Sequence, residues 1–357
     1  MIDFYRSLRS ILKLEEVHTD NNVFKLHYRV TVLLLLSFTI LLTSKQYFGD
    51  PINCDVDERK DVIDTFCWIS GTFIIKNNVF DNFLPGLGTP DVKHLSDSFN
   101  KQVYYQWVCL TFGIQAMFFY LPKYFWKTWE GGRLKLLIGD LGGPLSANWN
   151  SASRDTLIKY LLSEKYSHNI YTIRYCLCEV LNFINVIVQI YFMDWFVSGN
   201  FSLYGIEHAS NKLVNPMNTV FPKIAKCTYF RFGPSGTLEI RDALCILPLN
   251  VLNEKFFLIL WYWLLVLLIV TMLCLVYRGM FLFIPNFRVY LLRAHSRKLE
   301  RKKAEFIVSK ISFGDFFVLY KVGKNVNTMI YKELIGGIYD QLIITKGSHK
   351  VFAQDEV

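Results

Sequence analysis

Hydrophobic positions gather into four long runs separated by polar stretches: Leu26 to Ser44, Tyr104 to Leu121 closed by Pro122, Ile173 to Phe196, and Phe256 to Tyr277, the last without a charge. Each approaches the roughly 20 residues that a helix needs to cross a hydrocarbon core. The first run begins after a charged stretch and has no small-residue cleavage site, so it reads as a retained span rather than a signal peptide. The resulting segments are an amino-terminal helix and linker (1–25), spans at 26–44, 104–122, 173–196 and 256–277, polar loops at 45–103, 123–172 and 197–255, and a carboxyl-terminal region at 278–357.

The polar stretches carry their own shorter periodicities. Phe4, Leu8, Ile11 and Leu12 recur at helical spacing opposite Asp3, Arg6, Arg9 and Lys13, which predicts a short amphipathic helix that either lies on the membrane or folds into a pore. Leu157, Ile158, Leu161 and Leu162 stripe a predicted helix from Ser153 to Tyr166. A basic helix is expected over Arg293 to Lys303 and another helix over Thr328 to Ile344, with the last dozen residues polar and disordered. In the third span Glu179, Asn182, Asn185 and Gln189 share one arc at 100° per residue. Such an arc either faces water or holds helices together through hydrogen bonds, and the second reading is favoured. Trp261, Tyr262 and Trp263 mark an interfacial belt on the fourth.

Apolar residues make up 52% of the chain and aromatics 16%, as the spans require. Cysteines then set the sidedness. Cys54 and Cys67 lie in one polar stretch and Cys227 and Cys245 in another, a pattern of oxidised loops on one membrane face. Cys109, Cys176, Cys178 and Cys274 fall in or beside apolar segments, where a thiol behaves as a small hydrophobe. The two cysteine-bearing loops hold 12 of the 39 Lys and Arg residues and the rest of the chain 27, which puts both termini on the cytoplasmic side. The net charge of +9 is accordingly expected to meet anionic membrane lipids rather than nucleic acid.

Catalytic signatures are lacking. There is no HExxH, GxSxG or P-loop, Gly86 and Gly88 lack the third glycine of a dinucleotide fingerprint, and His94 and His208 are isolated loop residues. No enzyme activity, metal or cofactor is expected. Asn200-Phe201-Ser202 is a glycosylation sequon only four residues beyond the third span.

Tyr104-Tyr105-Gln106-Trp107-Val108 at the start of the second span resembles the signature pentapeptide of the innexins, the invertebrate gap-junction proteins, with insect members nearest. Tyr47 to Ile52, Trp129-Glu130-Gly131-Gly132-Arg133-Leu134-Lys135, Lys226-Cys227-Thr228, Gly233-Pro234-Ser235-Gly236 and Leu247-Pro248-Leu249-Asn250 resemble further innexin landmarks, so the likeness covers nearly the whole chain. The expected fold class is then an all-α membrane protein: four transmembrane helices, a disulfide-stapled ectodomain of two loops and a helical cytoplasmic domain. The resemblance implies a plasma-membrane gap-junction channel in which this chain, alone or with other innexins, forms an octameric ring that docks onto a ring of the apposed cell. It implies bridges Cys54–Cys245 and Cys67–Cys227, where four cysteines alone allow three connectivities. It also implies a pore lined by the amino terminus and first span, at Asp3, Arg6, Ser7 and Ser37. An undocked hemichannel, which an occupied Asn200 would favour, and a tetraspanin-like scaffold remain as alternatives.

Overall fold

The computed structural model describes residues 17–56, 59–75, 99–138, 151–163, 167–199, 201–209, 220–296 and 299–352. In chain order the helices are α1 (Asn22–Phe48, with a π-helical stretch at Leu26–Thr31), α2 (Lys60–Ser70), α3 (Val108–Glu130), α4 (Arg133–Ile138), α5 (Ser151–Ser163) and α6 (Ser167–Phe196). They continue with α7 (Tyr204–Ala209), α8 (Pro248–Phe283), α9 (Pro285–His295), α10 (Arg301–Lys310), α11 (Phe313–Asn325) and α12 (Thr328–Phe352). Among the described residues three stretches are long and apolar enough to cross a membrane: Asn22–Phe48, His168–Phe196 and Pro248–Phe283. Helix α3 is not among them, because Thr111, Gln115 and Lys123 dilute its apolar character.

The fold departs from the sequence-based expectations in several places. The fold is mostly helical rather than all-α, since five strands, β1 (Asn53–Asp55), β2 (Thr72–Ile75), β3 (Phe99–Gln102), β4 (Ile224–Phe232) and β5 (Leu238–Ile246), form one antiparallel sheet in the order β1-β5-β4-β2-β3. Pro122 does not close its helix, which runs on to Glu130. Proline removes only one backbone donor, and apolar helices tolerate that loss where neighbours supply packing. The basic stretch Arg293–Lys303 is not one helix: α9 ends at His295 and α10 begins at Arg301. Helix α12 extends to Phe352, into a segment expected to be disordered.

The chain divides into two compact units. The sheet unit takes Val30–Phe119 and Asn185–Leu268; the helical unit takes the chain up to Arg29, Tyr120–Ile184 and everything from Ile269. Each of the four changes of unit falls inside a helix, in α1, α3, α6 and α8 in turn.

In the sheet unit β4 and β5 make a long hairpin paired from Ile224↔Ile246 to Phe232↔Leu238. The turn needs Gly236 at φ +76°, a left-handed conformation that glycine adopts without steric cost, while Gly233 donates its N–H to the Thr237 carbonyl at 2.9 Å. The buried positions of this sheet are small: Ala225, Cys227, Ala243, Cys245 and Cys54, joined by Ile52, Ile74 and Leu247. So little apolar volume cannot hold a sheet by burial alone, and cross-links take that part.

The helical unit has a conventional core. Phe24, Trp126, Tyr175, Phe281, Phe316 and Phe317 form its aromatic centre, and Leu157, Ile158 and Leu161 of α5 bury the stripe seen in the sequence. The backbones come close at Gly314, where an added Cβ would lie 2.4 Å from the backbone nitrogen of Asn169. Only glycine lets α11 start against α6 at that distance.

Candidate functional site

Two disulfides join the two loops of the sheet unit. Cys54 of β1 is bonded to Cys245 of β5, its register partner, and Cys67 on α2 is bonded to Cys227 of β4. The bridges close separations of 191 and 160 residues, so each removes a large loop entropy from the unfolded chain. The Cys54 N–H also donates to Asp64 Oδ1 at 2.7 Å, fixing α2 to β1.

The pentapeptide sits where this unit meets the second apolar run. Tyr104-Tyr105-Gln106 is a 3₁₀ turn and Val108 opens α3. The Tyr104 hydroxyl donates to the Val220 carbonyl, and its ring meets Phe221 edge-on at 5.6 Å. Tyr105 is buried beside Trp68 at 4.7 Å, and Gln106 donates to the Trp68 carbonyl. Trp107 is exposed and Val108 buried. Three of the five residues therefore hold the first loop, the second loop and the start of α3 together. Asn250 adds a similar tie, donating to the Pro222 carbonyl at 2.8 Å just inside α8, which opens on Pro248 where a missing N–H costs nothing.

In the helical unit the polar arc of the third run finds its partner. Glu179 accepts two hydrogen bonds of 2.7 Å from Arg278, which lies one residue past the uncharged run in α8. Both side chains are buried, and Asn182 beside them is buried too. The Arg278 guanidinium also stacks over Tyr175, Phe281 and Phe317 at 5.1–5.6 Å. In the sheet unit Gln189 bonds Asn185 on the same helix at 3.3 Å. Glu179 is tied to α8 in this way, whereas the bond of Gln189 stays within α6; Arg278 was not recognised from the sequence because it falls just outside the run.

The segment leading into α1 is held from several helices. Asp20 pairs with Lys123, the Asn21 N–H donates to the Tyr175 hydroxyl at 3.0 Å, and Lys321 donates to the Thr19 carbonyl at 2.7 Å. His18 and Asn325 exchange two hydrogen bonds, His18 N–H to Asn325 Oδ1 and Asn325 Nδ2 to the His18 carbonyl. Nothing in the sequence pattern singles out these contacts, since each joins residues about 100 to 300 positions apart. Lys321 is buried over the Tyr175 and Phe317 rings, and burial first, with Arg278 nearby, pushes its ammonium down to about 7 against the pull of Glu179 and Asp20.

Between α3 and α4 the chain reverses on Gly131 and Gly132, both left-handed at φ +60° and +79°. Glu130 then caps the new helix backwards, its carboxylate accepting from Gly132 N–H and Leu134 N–H at 2.8 Å each. The Glu-Gly-Gly of this landmark thus has a local cause.

Of the expected pore positions, Ser37 is exposed on α1 and donates to the Leu34 carbonyl at 2.7 Å. Asp3, Arg6 and Ser7 lie outside the described residues, as do the amino-terminal helix and Asn200.

The innexin family model matches residues 20–342. The chain belongs to the innexin family. It is 44% identical to innexin inx2 of Schistocerca americana over 96% of this chain and 98% of that protein. Innexin inx2 and innexin shaking-B of Drosophila melanogaster are 42% and 39% identical, each across about 95% of both chains. As an innexin the chain is a gap-junction channel subunit, a multi-pass protein of the plasma membrane and not an enzyme.

Proposed function

We propose that this innexin forms octameric rings, alone or with other innexins, whose disulfide-bonded loops face outward and dock onto a ring of the apposed cell, while both termini are cytoplasmic. The observation that carries this reading is the composition of the sheet: strands from 53–102 flank the hairpin of 224–246 on both sides, and the two loops are cross-linked at two points. A docking surface built this way loses little ordering entropy on contact. The hairpin presents Phe230, Phe232, Leu238 and Ile240 exposed, apolar area of the kind that marks an interface. Helix α3, 23 residues long, is the fourth span in this reading. Lys and Arg are concentrated outside the sheet unit, in keeping with cytoplasmic placement of the helical unit.

Within the ring, Asp3, Arg6, Ser7 and Ser37 line the conduit, and the ties on residues 18–21 anchor the amino terminus to the helical unit. Paired cells expressing the protein are the test: junctional current and transfer of small dyes are expected, lost in the Cys67→Ser variant. Trafficked protein that gives neither junctional nor single-cell conductance in any partner combination would overturn it. An undocked hemichannel is favoured instead if Asn200 proves glycosylated and only single-cell conductance is seen.

A further inference from the structure

A cavity of about 400 Å³ opens in the helical unit where α4, α5, α6 and α11 converge. Its polar lining is Arg133, Tyr160, His168 and Tyr171, and its apolar lining is Leu134, Leu137 and Val318. Two of these polar groups lack any partner: the His168 Nε2 and the Tyr171 hydroxyl are buried and bond nothing among the described residues. Both residues are more than nine-tenths buried, at 7% and 8% exposure. Buried polar atoms left in that state cost free energy, and a site for a ligand relieves the cost.

The charges around the cavity decide the ligand's sign. Three carboxylates are close, and all are already engaged, Asp20 by Lys123. Glu130 holds the Gly132 and Leu134 N–H groups, and Asp315 accepts from His168 Nδ1 at 2.9 Å and from Ser312 at 2.7 Å. With Nδ1 engaged by Asp315, Nε2 is the ring nitrogen left without a partner in the cavity lining. Arg133 is exposed and within electrostatic reach of Tyr171. What remains unmet is an imidazole nitrogen and a phenol, with the exposed Arg133 in the same lining, beside an apolar wall.

We infer that this cavity binds a phosphate-bearing organic anion, its phosphate on Arg133, His168 and Tyr171 and its apolar part against Leu134, Leu137 and Val318. His168 begins a helix long and apolar enough to cross a bilayer, so a lipid headgroup and a dissolved organic phosphate both have access. The shared chemistry is the phosphate, which fork-shaped guanidinium donors suit.

The test uses the purified full-length ring in detergent, with melting temperature followed against dioctanoyl phosphatidic acid, dioctanoyl phosphatidylcholine and inorganic phosphate. The variants are Tyr171→Phe, which keeps the ring and drops the hydroxyl, and Arg133→Gln, at an exposed position. Phosphatidic acid is expected to raise the melting temperature, with apparent affinity falling about tenfold in each variant. The same variant-sensitive response to inorganic phosphate assigns the site to dissolved phosphates and supports the inference as well. No response to either phosphate, an equal response to phosphatidylcholine, or responses unchanged in both variants would overturn it.

Discussion

Arg278 and Glu179 meet in two parallel hydrogen bonds of 2.7 Å, both side chains buried, one just past the end of the most apolar run in the chain and the other at the start of the polar arc. The fork geometry of the guanidinium fits a carboxylate, and stacking on three aromatic rings shields the pair from water. A pair in that setting registers α6 against α8 more than it stabilises them. Its desolvation offsets much of its attraction.

Removing one partner should therefore be far worse than removing both. Glu179→Gln or Arg278→Met alone is expected to cost about 3–5 kcal/mol, because the remaining charge is stranded. The double variant should recover a large part of that loss. Thermal melting of the solubilised protein across the four-member cycle measures the coupling, and additive single effects would show that the two side chains act independently.

Two glycines separate close packing from backbone freedom. Gly314→Ala pushes a methyl group to 2.4 Å from the Asn169 nitrogen and should cost about 1–3 kcal/mol through displacement of α11. Gly279 lies inside α8 with nothing within 4 Å of an added Cβ, so Gly279→Ala should be neutral or stabilising by about 0.5–1 kcal/mol. Melting curves of the two variants should shift in opposite directions, or only the first should move.

Lys321 makes the helical unit's stability depend on pH. Its folded-state value near 7 lies below the ordinary lysine value of about 10.4, so between these limits the unfolded chain binds more protons than the folded one. Stability should rise as pH increases from about 7 to 10, and the cost of the buried ammonium is fully present below that window. Lys321→Met removes this contribution. Melting temperature measured from pH 6 to 10 should show a shallower rise in the variant than in the parent, and parallel profiles would contradict the assignment.

Charge reversal at the amino terminus tests the proposed conduit. In a ring of identical subunits, Asp3→Lys changes one charge per subunit along a narrow aqueous path, so reversal potentials under ionic gradients should move toward anion permeability. Thiol reagents should block channels carrying Ser7→Cys. Conducting channels with unchanged selectivity and no block would put this helix on the membrane surface instead.

The apolar runs, the cysteine-bearing loops and the family landmarks were legible in the sequence because each is written locally, as runs of greasy residues or as short motifs. Periodicity of 3.6 likewise exposed α5, whose buried stripe repeats within a few turns. The sheet was not legible. Its strands bury mostly alanines and cysteines, β1, β2 and β3 are three or four residues long, and β1 and β2 reach β5 and β4 more than a hundred residues away across α6. The same distance hid the partner of Glu179, the ties on residues 18–21 and the cavity beside His168. Membership of a membrane and of a family follows from what neighbouring residues are. Which buried charges are compensated, and which polar atoms are left waiting for a ligand, depends on contacts between distant segments, and only the folded chain decides those.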